Sequence, residues 1–185
     1  MPKGKIVAVV GMCGSGKSVA TEVFTDAGWR KVYFGGITME ELEARGLPKN
    51  ETNEKAVREE LRARYGLAAY AVKLYDRVAA FAEEGNVVLD GLYSWSEYTY
   101  LKERLGDGLR VLAIVTDRQK RYDRLTGRAE RPLTAEQAAS RDKAEIENLE
   151  KGGPIAIADT FICNNGSAGE LAEAVERYRL SLEES

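Results

Sequence analysis

The chain contains no histidine. Ser–His and Cys–His nucleophilic schemes are therefore excluded, and a zinc site loses its commonest nitrogen ligand. Cysteine is scarce, with Cys13 and Cys163 alone in the sequence. Both read as free thiols of a reducing compartment, which points to the cytoplasm. Long apolar runs are missing. The opening MPKGK is followed by only about five apolar residues, too few for a secretory signal or a membrane span. A basic excess is missing too, with Lys+Arg 27 against Asp+Glu 30 and a net charge of −3. That balance argues against a general nucleic-acid or membrane binder. No repeat, low-complexity tract or Pro/Ser-rich linker interrupts the sequence, so residues 1–185 read as one domain. A hydrophobic content of 44% suffices for a sizeable core.

What the sequence does contain is an alternation of short apolar runs and helical stretches. Strands are expected at residues 5–10, 30–34, 86–90, 109–115 and 159–164. Helices are expected over about 17–27, 38–46, 53–66, 68–84, 94–105, 118–125, 133–152 and 167–184. Several close on the glycine that commonly ends a helix. Apolar strands separated by helices predict an α/β fold: a three-layer α/β/α sandwich around a five-stranded parallel sheet. Ligands of such sheets sit beyond the carboxyl ends of the strands. Residues 35–85 then form a helical acceptor-binding insertion, and residues 118–134 a lid.

The stretch GMCGSGKS, residues 11–18, fits G-x-x-x-x-G-K-[ST] between a strand and a helix. Glycines let successive backbone N–H groups turn inward around a phosphate, and the following helix adds its positive dipole end. Gly11, Met12, Cys13, Gly14, Ser15, Gly16, Lys17, Ser18 and the adjoining Val19 are the expected nucleotide-binding residues. Lys17 reaches the β- and γ-phosphates, and the Ser18 hydroxyl ligates Mg²⁺. Cys13 either has its thiol pKa lowered by the helix terminus or simply fills a small space.

VVLDG, residues 87–91, is an apolar strand ending in Asp90. Beside a phosphate loop such a carboxylate holds Mg²⁺ directly or through water, or accepts a proton from an attacking hydroxyl. The segment TDRQKRYDRLTGRAERPLT carries Arg121, Arg124, Arg128 and Arg131, the first three at helical spacing. Arginines on a mobile lid supply cations where transition-state charge spreads, and they exclude water. The competing reading is a solvated basic face.

Arg58 and Arg62 lie one helical turn apart and can clamp an acceptor phosphate or pair with nearby glutamates. Gly35, Gly36, Thr38 and Tyr93 follow strands on the expected ligand side, as do Asn164 and Asn165, which can border a purine or form a plain turn.

GMCGSGKS, VVLDG, the arginine-rich lid and ADTFICNNGS, in this order, resemble the nucleoside-monophosphate kinase and dephospho-CoA kinase group of P-loop kinases. The resemblance is closest to small adenylate-kinase-related proteins and covers nearly the whole chain. It implies ATP and Mg²⁺ as cofactors and transfer of the γ-phosphoryl group to a small phosphorylated acceptor, a nucleoside or deoxynucleoside monophosphate. The implied partner is a small molecule, bound by a monomer or homodimer. The chain departs from those enzymes in two places. FGGITME lacks the Asp and Arg that they carry after the second strand, and Asp90-Gly91-Leu92-Tyr93 lacks their basic step. Dephospho-CoA-kinase-like activity, a slow nucleotide-hydrolysing switch and a nucleotide binder without turnover are the alternatives. The N-K-x-D base-reading motif of GTPases does not occur.

Overall fold

The computed structural model describes residues 3–129 and 132–183, with Glu51 described by its backbone alone. Ile6–Val10 form β1, buried at every position, as a strand covered on both faces requires. β2 (Arg30–Tyr33) and β3 (Val87–Asp90) lie on one side of it, β4 (Leu109–Val115) and β5 (Thr160–Cys163) on the other. The order is β2-β3-β1-β4-β5, and every pairing is parallel. The chain leaves β1 for the β2–β3 side and later returns to β4, so the crevice beyond the ends of β1 and β3 is the switch point of the sheet. Val9 pairs with Asp90 there.

Alternation along β1 separates two cores. Ile6, Ala8 and Val10 face one way and pack with Leu89, Val111 and Leu74. Val7 and Val9 face the other and pack with Phe24, Trp29, Leu112 and Val175. The first face is covered by α4 (Ala69–Glu84) and α5 (Trp95–Leu105), with α2 (Gly36–Ala44) and α3 (Glu51–Tyr65) beyond. The second is covered by α1 (Lys17–Asp26) and α9 (Ala168–Glu183). The expected three layers and five parallel strands are present. Leu74 and Leu89 are fully buried, and truncating either to Ala is expected to cost ~2–5 kcal/mol.

The remaining helices are α6 (Arg118–Thr126), α7 (Ala135–Glu147) and the short α8 (Gly152–Ala156). One long helix over residues 133–152 was expected, and the structure divides it. α7 opens on a Thr134/Gln137 capping box but ends at Glu147, and Glu150 takes a left-handed φ of 54°. Pro154 explains why one helix cannot run through, because it has no N–H for the Glu150 carbonyl and its ring would clash there, whereas the first turn of α8 tolerates it. Gly153 also packs against Trp95, where a Cβ would lie 2.8 Å from the indole. The break turns Lys151 inward, with its N–H bonded to the Glu145 carbonyl at 3.1 Å. Among the described residues, no helix is long and apolar enough to cross a membrane.

Candidate active site

The loop after β1 is shaped from outside. Gly11, Gly14 and Gly16 have φ of 148°, 81° and 100°, in the left-handed region that favours glycine. They also leave no room for side chains: a Cβ would strike the Ile114 carbonyl at Gly11 and the Asn164 amide at Gly16. Arg121 Nη1 donates to the Cys13 carbonyl at 3.0 Å. Asn164 Nδ2 and Thr116 Oγ1 donate to the Ser15 carbonyl at 2.8 and 3.1 Å. The Cys13 N–H faces the opposite way and donates to the Glu145 carboxylate at 3.3 Å. The loop therefore presents an amide to an anion, as a phosphate nest does.

Lys17 opens α1 and folds back over the loop. Its Nζ donates to the Gly11 and Met12 carbonyls at 2.8 and 3.0 Å. Burial, aided by the neighbouring Lys151 charge, pulls its pKa down to about 8. A cavity of about 550 Å³ opens in front, bordered by Cys13, Gly14, Lys17, Ser18 and Asp90. Asp90 sits at the end of β3, its Oδ2 2.8 Å from Lys31 Nζ. Ser18 and Asp90 thus supply two oxygen donors of the kind that Mg²⁺ takes. Among the described residues no group of three or more acidic or thiol side chains could hold a metal. The donor set fits a magnesium ion that completes its coordination with nucleotide phosphates and water.

The expected lid arginines part company. Arg121 is buried in a two-pronged pair with Asp142, at 2.8 and 2.6 Å, and braces the loop from behind rather than facing the cavity. Arg124 Nη2 donates to the Asn164 and Gly166 carbonyls at 3.1 Å each. Its Nη1 is buried without a hydrogen-bond partner and the residue lines the cavity, so an acceptor is missing there. Arg128 lines the same cavity and is exposed. Arg131 lies outside the described residues. The first part of the expected lid is anchored, with Leu125 of α6 fully buried beside Cys13 and Ala138.

Asn164 is buried as a brace of the Ser15 carbonyl, and Asn165 Oδ1 accepts from the Asp117 N–H at 2.9 Å. Neither side chain borders the cavity as a purine contact would. Val19 packs against the core beneath α1.

A second cavity, of about 620 Å³, opens between α2, α3 and α7. Gly35, Thr38, Arg58, Arg62 and Tyr93 all line it, and Gly36 does not. Thr38 Oγ1 and the Tyr70 hydroxyl share a 2.8 Å hydrogen bond. The Arg62 guanidinium lies 5.7 Å from the centre of the Tyr70 ring, and Arg58 is 3.5 Å from Glu54. Tyr33, Tyr93, Arg141 and Glu145 border both cavities, which therefore meet at a common wall.

Three residues of this wall region, Arg141, Glu145 and Lys151, escaped the sequence analysis. Lys151 Nζ is 2.7 Å from Glu145 Oε2, and both side chains are buried. Burial pushes the Glu145 carboxyl up, but the Lys151 ammonium together with the Lys17 and Arg141 charges outweighs it and holds the group below the usual carboxylate range. Burial also raises the Tyr93 phenol well above its ordinary value. The available signals were the i, i+4 spacing of Arg141 and Glu145 and the helix-breaking Gly-Gly-Pro after Lys151.

A glycine nest at the switch point of a parallel sheet, with a lysine at the head of α1, defines a P-loop nucleotide-binding domain. Residues 7–150 match the AAA domain family, AAA_18. The chain belongs to the UPF0200 family. It is 35% identical over 176 residues to UPF0200 protein TK1334 of Thermococcus kodakarensis, an alignment spanning 93% of this chain and 95% of that protein. Shikimate kinase from Acinetobacter baumannii, solved in complex with shikimate, has a TM-score of 0.62 at 18% identity, covering 97% of this chain and 95% of its own. Dephospho-CoA kinase from Campylobacter jejuni has a TM-score of 0.58 at 14% identity, covering 97% of each chain. The fold is that of the P-loop kinases.

Proposed function

We propose that the protein is an ATP-dependent phosphotransferase that moves the γ-phosphoryl group to a small phosphorylated acceptor, a nucleoside or deoxynucleoside monophosphate. One observation carries the reading: the phosphate-loop cavity and the arginine-bearing cavity share a wall. A donor in the first and an acceptor in the second would have their reacting atoms at that wall, which is what transfer by proximity requires. The donor cavity also suits a triphosphate. Lys17, Arg124, Arg128, Arg141 and Lys151 outnumber Asp90 and Glu145 around it. Bound Mg²⁺, held through Ser18 and Asp90, would neutralise developing charge on the transferred group. Arg124 Nη1 is an unpartnered donor at the first cavity that would serve the nucleotide, and Arg58 and Arg62 line the second, where they would bind an acceptor phosphate. The two structural neighbours named above are kinases of small molecules, which supports the same class.

The test is ADP release with ATP, Mg²⁺ and a panel of nucleoside and deoxynucleoside monophosphates together with dephospho-CoA. Release that depends on a monophosphate supports the proposal, and release on dephospho-CoA alone replaces the acceptor. Acceptor-independent hydrolysis would make the chain a switch, and tight ATP binding without turnover would make it a binder.

A further inference from the structure

Phosphoryl transfer needs positive charge where the γ-phosphoryl group changes hands. Of the two anchored lid arginines, Arg121 is committed to Asp142, and Arg124 gives its Nη2 to the Asn164 and Gly166 carbonyls and keeps only Nη1 unpartnered toward the cavity. The two cavities meet on the side of the phosphate loop opposite Arg121, where Glu145 touches the Cys13 amide. There the sequence delivers a different cation. Lys151 reaches the donor cavity from inside the protein, and only 2% of it is exposed.

The surroundings of that ammonium are specific. Glu145 Oε2 engages it at 2.7 Å and also accepts the Cys13 N–H at 3.3 Å, while Arg141 Nε lies 3.4 Å from Oε1. The face of Tyr93 lies 5.2 Å from the nitrogen. One carboxylate thus gathers a loop amide, an ammonium and a guanidinium, which are the three kinds of donor that hold a terminal phosphate. An ammonium has three donors, and Glu145 takes one. Arg128, the remaining described lid arginine at this cavity, is exposed to water that screens it, whereas Lys151 is not.

We propose that Lys151 contacts the γ-phosphoryl group during transfer and that Glu145 is the residue that positions it. This rests on the kinase reading above. In the step, an acceptor oxygen bonds to the γ-phosphorus as the bond from that phosphorus to the β–γ bridging oxygen breaks. The electron pair leaves with ADP, and a phosphate monoester dianion as acceptor has no proton to give up. Lys151 meets the equatorial oxygens through the donors that Glu145 leaves open, while Glu145 keeps the ammonium in place.

The test compares ATP and ADP binding, with Mg²⁺, by calorimetric titration of the full chain and three variants. Lys151→Met is expected to weaken ATP binding at least ~10-fold while ADP binding changes less than ~2-fold, because only ATP carries the group that Lys151 touches. Glu145→Gln removes the charge that holds the ammonium at the shared wall, so the ATP-to-ADP preference is expected to fall ~3-fold or more. The Lys151→Met/Glu145→Gln double variant leaves neither buried charge without its partner and guards against misfolding. It is expected to lose the ATP preference as the single Lys151 variant does. A Lys151→Met or double variant that keeps the wild-type ATP-to-ADP ratio overturns the role of Lys151. A Glu145→Gln variant with an unchanged or raised ratio overturns the role of Glu145. Wild-type protein that binds neither nucleotide overturns the kinase reading with them.

Discussion

The donor and acceptor halves of the site are built differently. Around the phosphate loop, the polar side chains that brace the backbone are buried and bonded: Arg121 to Asp142 and Cys13, Asn164 to Ser15. Around the acceptor cavity, α2 and α3 share buried apolar residues such as Leu42, Val57 and Leu61, but the ion pair that links them, Arg45 with Glu60, lies at the surface. Exposed pairs contribute little and exchange readily with water, whereas buried ones are geometrically exacting. On the proposed reading, the half that would grip the donor is braced by buried polar bonds, and the half that would select the acceptor carries weaker pairs at its surface.

The largest expected effect lies at the donor side. Lys17→Ala is expected to lower kcat by at least ~10²–10³-fold, through loss of charge stabilisation at the phosphates. Its fold is expected to survive, because a buried charge already disfavoured by desolvation is removed. Steady-state kinetics with thermal unfolding checks both halves of that statement, and unimpaired turnover would refute the donor assignment.

Next, Arg121→Ala strands Asp142 in the interior. A stability loss of ~3–5 kcal/mol is expected in denaturant unfolding. A loss below ~1 kcal/mol would mean that the brace behind the loop is no stronger than a surface pair.

A third prediction concerns the segment under the common wall. Glu97 accepts the N–H groups of Tyr93 and Ser94 at 2.7 and 3.1 Å, and burial pushes its pKa up from 4.5 to about 7. Between pH 4.5 and about 7 the folded protein therefore holds a proton that the unfolded chain has released. Stability falls as pH rises through that window, by on the order of 3 kcal/mol in total, and is level above it. Glu97→Gln keeps an acceptor for the cap and is expected to flatten this slope. Denaturation midpoints of both proteins at pH 5 and pH 8 read it directly, and parallel slopes would sink the prediction.

The smallest expected effect is at the acceptor side. Arg62→Ala is expected to raise the acceptor KM ~10–100-fold through loss of a charge-assisted contact, with ATP affinity unchanged. Stability is expected to move by less than ~0.5 kcal/mol. An equal change in donor and acceptor constants would erase the distinction between the halves.

The phosphate loop was legible because its chemistry is contiguous: strand, glycines, lysine and serine follow one another, and local geometry does the rest. The strand runs were legible because β1, β3 and β4 bury nearly every residue. The arginines in and just after α6 were harder, Arg128 lying beyond the end of the helix. Spacing put Arg121, Arg124 and Arg128 on one face, but residues three apart diverge enough to reach opposite sides of the loop. Which of them meets Asp142 depends on α7, and sequence spacing holds no record of that neighbour. Asn164 escaped in the same way, because its role is fixed by a carbonyl 149 residues away. Lys151 was hidden by periodicity itself. The helical pattern runs on through residues 148–151, and the turn at Glu150 becomes evident only once Trp95 presses on Gly153.

The braces on the loop bear on how the protein is made. Residues 11–18 leave the ribosome early, yet the groups that hold their carbonyls, Thr116, Arg121 and Asn164, come far later. A nascent chain arrested before residue 164 would carry the complete nucleotide motif with Thr116 and Arg121, and lack only the Asn164 brace on the Ser15 carbonyl. Nucleotide capture during translation should therefore switch on late and abruptly, as β5 emerges from the exit tunnel.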